Sequence, residues 1–432
     1  MSRFTSYPAV STRSDGRGIN RRTMLKGAGA TAAVAAISLR GRPTHAQDGD
    51  TIVVSAQEHT QEPLKPFIEE FRAASGVNVT FFANPSAGGE QVAQLAPQFA
   101  AESTPVDVLS SSDEAAPAFI RAGWMEPLND IIPEGFWDEW DQSVRDYVAL
   151  WSTLEDQIYR IPLGWSVGYF WTRKDLLTEW GLAAPATWDD VRAIGEAAKA
   201  NGMSGFGDAG SKPSLAFVYA AYVVAQAGGS IFDFDDGTRE AFAFARELVD
   251  SGYYPAGAAN WTYDQLNAAY MGDQLATMRQ WAFFYDVSRD NTAWFAEDKV
   301  SIELPPGGPN GQRATWGGAW GWMIPRFTDK KDAAREWITY ITAPEQAGRL
   351  AEVVSDFITP RTSVFEHLGD TGLVTYMKSY SEAGVITPRP FHPQVNEAQA
   401  IVDTYFNGLL AGEYDVDAAI EGAKEEFGDL AG

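Results

Sequence analysis

The chain has 432 residues, 45% of them apolar and 21% charged, the composition of a globular protein of about two or three domains. Its 58 acidic residues outnumber 33 basic ones, a formal charge of −25 that argues against nucleic acid as a partner and is read as a solubility device. With no cysteine, disulfides, thiolate chemistry, cysteine metal sites and a cysteine-linked lipid anchor are not expected.

The N-terminal segment resembles a twin-arginine export signal. Arg21 and Arg22 stand in Asn20-Arg21-Arg22-Thr23-Met24-Leu25-Lys26, with Asn20 where Ser or Thr is usual and Met24 where Phe is usual. An apolar run from Gly27 to Leu39 follows, too short to span a membrane, and Thr44-His45-Ala46 offers a small-x-small cleavage site. Removal of residues 1–46 takes away eight of the 33 basic and one of the 58 acidic residues, leaving a mature charge of −32. The mature protein is therefore expected in the periplasm.

Thr51–Ser55 reads as a strand, and Leu64, Phe67, Ile68 and Phe71 then share one helical face. Val77–Phe82 is a second strand, Glu90–Glu102 a helix, Val106–Leu109 a third strand and Ala115–Ala122 a helix. This alternation predicts a parallel sheet with crossover helices, and ligands of such sheets sit beyond the carboxyl ends of the strands. Three polar loops fall there: Gln57-Glu58-His59, residues 84–89, and residues 110–114 with Asp113. Asp113 also suits a helix N-cap.

Further along, Pro162 and Gly168 flank Trp165 at what reads as a crossing between lobes. Thr187-Trp188-Asp189-Asp190 opens a helix with a capping box, and helices follow over Ala241–Val249 and Tyr263–Met271. The short strand Leu275–Met278 delivers Arg279, Gln280 and Trp281 to its end. Trp316–Pro325 holds three tryptophans and three glycines, which suits either a surface for a flat ligand or a core strand. Trp316, Trp320 and Trp322 share strand parity; the first two are expected at the ligand and Trp322 in the core. Helices are predicted through Ala333–Ile341, Ala398–Leu410 and Val416–Phe427.

Catalytic chemistry is thin. Gly164-Trp165-Ser166-Val167-Gly168 fits the nucleophile-elbow pattern, but the residues after it read as strand where that elbow needs a helix. His59, His367 and His392 show no metal-ligand spacing, and Asp233-Phe234-Asp235-Asp236-Gly237 reads as a surface turn rather than a calcium loop. No metal or cofactor is expected. The aromatic inventory is rich, because Trp165, Trp281, Trp316 and Trp320 each lie at a strand end or crossing near Gly or Pro. Rings so placed suit sugars, which present flat C–H faces and a rim of hydroxyls.

Five blocks stand out in order along the chain: Pro105-Val106-Asp107 with Ala122–Leu128, Tyr159–Pro162 through Leu177 with Pro185–Asp190, Tyr270 to Trp281, Trp316 to Gln346, and Phe357–Arg361. In that order they resemble the family 1 extracellular solute-binding proteins of sugar ABC transporters. The resemblance implies an α/β, two-lobe periplasmic binding protein fold, each lobe a mostly parallel sheet flanked by helices, joined by a multi-strand hinge. It implies a first lobe of residues 47–162 and 320–365 and a second of residues 163–319 and 366–432. Carried onto this chain, the cleft would be lined by Gln57, Glu58, Asp113, Trp165, Trp281, Trp316, Trp320 and Arg361. The implied function is capture of a carbohydrate or polyol, by a monomer, for ABC permease subunits after passage through the twin-arginine translocase. A binder of a cationic solute such as a polyamine and an exported hydrolase using Ser166 are the alternatives.

Overall fold

The computed structural model describes residues 51–430 apart from 86, 141, 291–298, 371 and 393. The signal segment expected over residues 1–46 lies outside them.

Strand β1 (Thr51–Ala56) buries Ile52 and Val54 and pairs in parallel with β2 (Asn78–Ala83), from Thr51↔Asn78 to Ala56↔Ala83. The helix between them, Glu58–Ser75, turns Thr60, Leu64, Phe67 and Phe71 inward at helical spacing. After the helix Gly88–Ala100 comes β3 (Leu109–Ser112). The third strand thus begins where the expected one ends. Residues before it meet β1 at the bridge Val54↔Val108 and through Asp107, which bonds Val53, and the ladder of β3 forms with a later strand instead.

A hairpin of β4 (Thr153–Leu154) and β5 (Gln157–Ile158) leads into β6 (Ile161–Val167) and β7 (Tyr169–Arg173), which are buried throughout and divided only by Gly168. Then come β8 (Ser204–Gly207), β9 (Leu275–Gln280) and β10 (Val300–Glu303), forming with β7 a sheet of order β10-β7-β9-β8. The pairing β8–β9 is parallel, like β1–β2, while β7 is antiparallel to both its neighbours because it arrives directly from the crossing strand β6. The Thr187 capping box forms as expected: Asp190 N donates to Thr187 Oγ1 at 3.3 Å and Thr187 N to Asp190 Oδ2 at 2.9 Å. In the turn read against a calcium loop, Asp235 caps the helix Asp236–Asp250 by accepting from Thr238 N at 2.9 Å.

The tryptophan-rich stretch is β11 (Thr315–Met323), and β12 (Ile386–Pro388) is the last strand described. Over Thr315–Gly317, β11 pairs in parallel with β12. It pairs antiparallel with β3 over Trp320–Met323, and with β6 over Gly317–Trp322 with a bulge between Trp320 and Gly321. One strand therefore serves both lobes. Trp322 is fully buried in a core with Phe71, Leu163 and Trp337, while Trp316 joins a separate core with Phe217, Phe242 and Phe406. Gly317 is required where it stands: a Cβ there would lie 2.5 Å from the Trp165 ring nitrogen.

Candidate ligand-binding cleft

A partly open cavity of about 130 Å³ lies at the strand ends between the two cores. Gln57 follows β1, Asp113 follows β3, Ser166 lies on β6, Trp281 follows β9, Trp316 lies on β11 and Arg389 follows β12, and all six line it. Strand ends are where ligands of open α/β sheets sit.

Its floor is a buried charge cluster. Asp113, 1% exposed, accepts from Ala319 N and Arg389 Nη1, each at 2.9 Å, and from the Tyr147 hydroxyl. It does not cap the helix Ala116–Arg121; Ser112 Oγ accepts from Ala115 N instead, at 3.3 Å. Arg389 reaches Gln399 Oε1 at 3.4 Å and Glu114 Oε2 at 3.6 Å, and its guanidinium stands 4.9 Å from the centre of the Trp316 ring. Burial works against its charge, but the Asp113 and Glu114 carboxylates outweigh it and hold its pKa above the usual value. Three atoms of this cluster are buried without a hydrogen-bond partner among the described residues, Glu114 Oε1, Arg389 Nε and Gln399 Nε2.

The wall is aromatic. Trp281 meets Trp316 edge to face, ring centres 5.0 Å apart at 79°, and its ring nitrogen donates to the Tyr263 hydroxyl at 2.7 Å. Arg279, paired with buried Asp208, lies 5.0 Å from the Trp281 ring and fixes it from behind.

Of the residues expected at the cleft, Gln57, Asp113, Trp281, Trp316 and Trp320 line this cavity. Three stand elsewhere. Glu58 is exposed at the first turn of its helix. Trp165 lines a second cavity, of about 350 Å³, with Tyr147, Phe365 and Met377. Its neighbour Ser166 faces the cleft, and strand alternation turns Trp165 to the opposite side. Arg361 is buried against Phe136, donating to Thr342 O at 2.8 Å and to Glu139 Oε2 at 3.2 Å.

The sequence profile of bacterial extracellular solute-binding proteins matches residues 56–348, and that of the twin-arginine translocation signal matches residues 18–38. The chain belongs to the bacterial extracellular solute-binding proteins. Its signal directs export to the periplasm. A mannitol-binding protein of Pseudomonas aeruginosa is 24% identical over 374 residues, covering 77% of this chain and 82% of the relative. Among solved structures, maltose-bound MalE3 of T. maritima has a TM-score of 0.78 at 21% identity, covering 88% of this chain and 100% of that one. A solute-binding protein of Agrobacterium vitis with bound D-mannitol has a TM-score of 0.72 at 18% identity, covering 89% and 98%. These structures share the two-lobe fold.

In this solute-binding protein, Ser166 Oγ donates to Asp356 Oδ1 at 3.1 Å, and His59 Nε2 stands 3.4 Å from Asp356 Oδ2. Burial lowers the His59 pKa, but the Asp356 bond and nearby carboxylates outweigh it and the net shift is upward. The order is Ser, Asp, His. A Ser-dependent hydrolase needs the imidazole on the hydroxyl, with the acid behind it. The strand β7 that follows also lacks the helix of a nucleophile elbow.

The candidate cleft is also lined by Glu114, which the sequence placed only within the loop 110–114, and by residues that sequence reading missed there: Ser166, Tyr263, Phe283, Asp356 and Arg389. Glu114 was signalled by its place beside Asp113. Arg389 had no local signal, since its partner Asp113 lies 276 residues away.

Proposed function

We propose that this protein captures a carbohydrate or polyol in the cleft and presents it to the permease of an ABC transporter, acting as a monomer that leaves the cytoplasm through the twin-arginine translocase. The observation that carries this reading is the meeting of an aromatic wall and a polar floor in one cavity. Trp281 and Trp316 supply flat apolar faces, and Gln57, Asp113, Glu114 and Arg389 supply donors and acceptors for hydroxyls. Asp113 keeps acceptor capacity beyond its three protein donors, since a carboxylate has about four lone-pair sites. Glu114 Oε1 and Arg389 Nε offer one acceptor and one donor with no protein partner among the described residues. The relative named for mannitol, and the structures carrying maltose or D-mannitol, support the same ligand class.

The reading is of a binder and not of a catalyst. Closure of the two lobes around the ligand follows from the ligand's greater affinity for the closed arrangement. Calorimetry against D-mannitol, ribitol, D-tagatose and maltose, with putrescine as the cationic comparison, tests it. Binding of at least one carbohydrate or polyol is expected. Heat from putrescine alone would overturn the assignment, and ester hydrolysis abolished by Ser166→Ala would overturn the non-catalytic reading.

A further inference from the structure

One end of the cleft is formed by a contact between lobes that neither the aromatic wall nor the charged floor explains. The helix Gly88–Ala100 belongs to the first lobe, packing Leu95 and Phe99 against Phe119 and Met323. Its second residue, Gly89, lands on the second lobe at Pro213 and Ser214. A Cβ on Gly89 would stand 2.8 Å from Ser214 Oγ and 3.2 Å from Pro213 Cβ, so a methyl would need the Ser214 hydroxyl to turn aside and a branched side chain would press on the proline ring. A Cβ on Gly88 would stand 2.6 Å from Glu114 Cβ. The start of the helix is thus a bare backbone wedged between Glu114 on its own lobe and Ser214 on the other.

The receiving turn is fixed and under strain. Ser214 has φ 85, a conformation that costs a non-glycine residue free energy and persists only where the surroundings hold it. Asp403 does so from the second lobe, accepting from Ser214 N at 3.1 Å and Phe217 N at 3.0 Å. On the other side, Gly88 N donates to Glu114 Oε2 at 3.1 Å, and that oxygen stands 3.6 Å from Arg389 on the cleft floor. Ala87 and Leu215, the residues flanking the contact in sequence, both line the cavity.

We propose that the landing of Gly89 on Pro213–Ser214 is a gate that closes one end of the cleft and limits its ligand to the length of a single sugar or short polyol. The proposal rests on the carbohydrate or polyol reading of the cleft. A ligand that stops short of Ala87 and Leu215 lets the backbone reach the turn; a longer chain must pass between them and holds the lobes apart. Closure therefore measures ligand length where the bare backbone of Gly89 meets the Pro213–Ser214 turn.

The chain has no cysteine, so Gly89→Cys with Ser214→Cys creates the only thiol pair, and the spacing from residue 89 Cβ to the residue 214 γ-atom suits a disulfide. Thiol loss under mild oxidant, followed with no ligand and with saturating D-mannitol, maltose or maltotriose, reads gate closure directly. An intramolecular disulfide is expected, forming about fivefold or more faster with D-mannitol and no faster with maltotriose than with no ligand. Failure to form it under every condition overturns the gate, and equal acceleration by maltotriose overturns the length limit. If the disulfide forms but no sugar changes its rate or binds the wild type by calorimetry, the contact stands; the carbohydrate reading then falls, and the length limit with it. In single-chain variants, Gly89→Val is expected to speed dissociation of a bound sugar about tenfold, and Ser214→Gly, at home at that φ, to reverse most of it. Unchanged dissociation in Gly89→Val overturns the gate.

Discussion

Arg389→Met removes the one cation that, among the described residues, pairs with both Asp113 and Glu114, while keeping most of the aliphatic stem over Trp316. The Arg389 and Asp113 side chains are only 4% and 2% exposed, so water at the cavity replaces the lost partner only in part. Asp113 keeps Ala319 N and the Tyr147 hydroxyl, whereas Glu114 keeps Gly88 N alone and already has one unpartnered oxygen. Breaking a buried ion pair from one side costs about 3–5 kcal/mol, because the remaining charge stays buried. Urea unfolding followed by far-ultraviolet circular dichroism should therefore show a loss of that order. Adding Asp113→Asn removes the stranded charge, so the double variant should recover about 1–3 kcal/mol relative to the sum of the single losses. A single-variant loss below about 1 kcal/mol, or strict additivity, would refute the view of the floor as a coupled charge cluster.

Trp281→Ala and Trp316→Ala should each weaken sugar binding by about 1–3 kcal/mol in calorimetry. Arg361→Met, whose bonds to Thr342 and Glu139 lie away from the cavity, should lower the melting temperature and leave affinity unchanged; wild-type affinity in both tryptophan variants, or a loss in Arg361→Met, contradicts this division. Burial pushes the Asp403 carboxyl up to about 6, against the bonds from Phe217 and Ser214. The folded state therefore holds more proton than the unfolded chain between the ordinary carboxyl range and about pH 6, and this contribution to stability fades as pH rises through that window. Asp403→Asn lacks the term, so wild-type stability relative to the variant should fall by up to about 3 kcal/mol from about pH 3.5 to about pH 6.5. A difference that stays flat with pH contradicts the assignment.

Local rules made much of the fold legible. The Thr187–Asp190 capping box, the helix Tyr263–Met271 and the strand that delivers Trp281 depend on neighbours in sequence. The two-lobe architecture followed from the order of several blocks rather than from any one of them. The cleft was harder to read, because a side chain's destination is set by which strand pairs beside it. Trp165 carried signals as good as those of Trp281, a ring between Gly164 and Gly168 at a crossing, yet β6 turns Ser166 and not Trp165 into the cavity. Arg361 was carried over with the Phe357–Arg361 block, but Glu139 and the Phe136 ring already hold it. Arg389 and Gly89 act through contacts with Asp113 and Ser214 far along the chain, and no window of sequence contains both partners.

The ladders of β11 to β3, β6 and β12 have a consequence for editing the chain. A loop absorbs an added or deleted residue, but a strand converts it into a change of face for everything beyond. Deleting one residue between Trp316 and Trp322 would turn one of these rings outward while the other stayed in place, emptying either the second core beside the cleft or the core behind β1. Tags, grafted loops and fluorescent insertions therefore belong in segments that pair with nothing, and the nine residues of β11 form a ruler whose length both lobes must share.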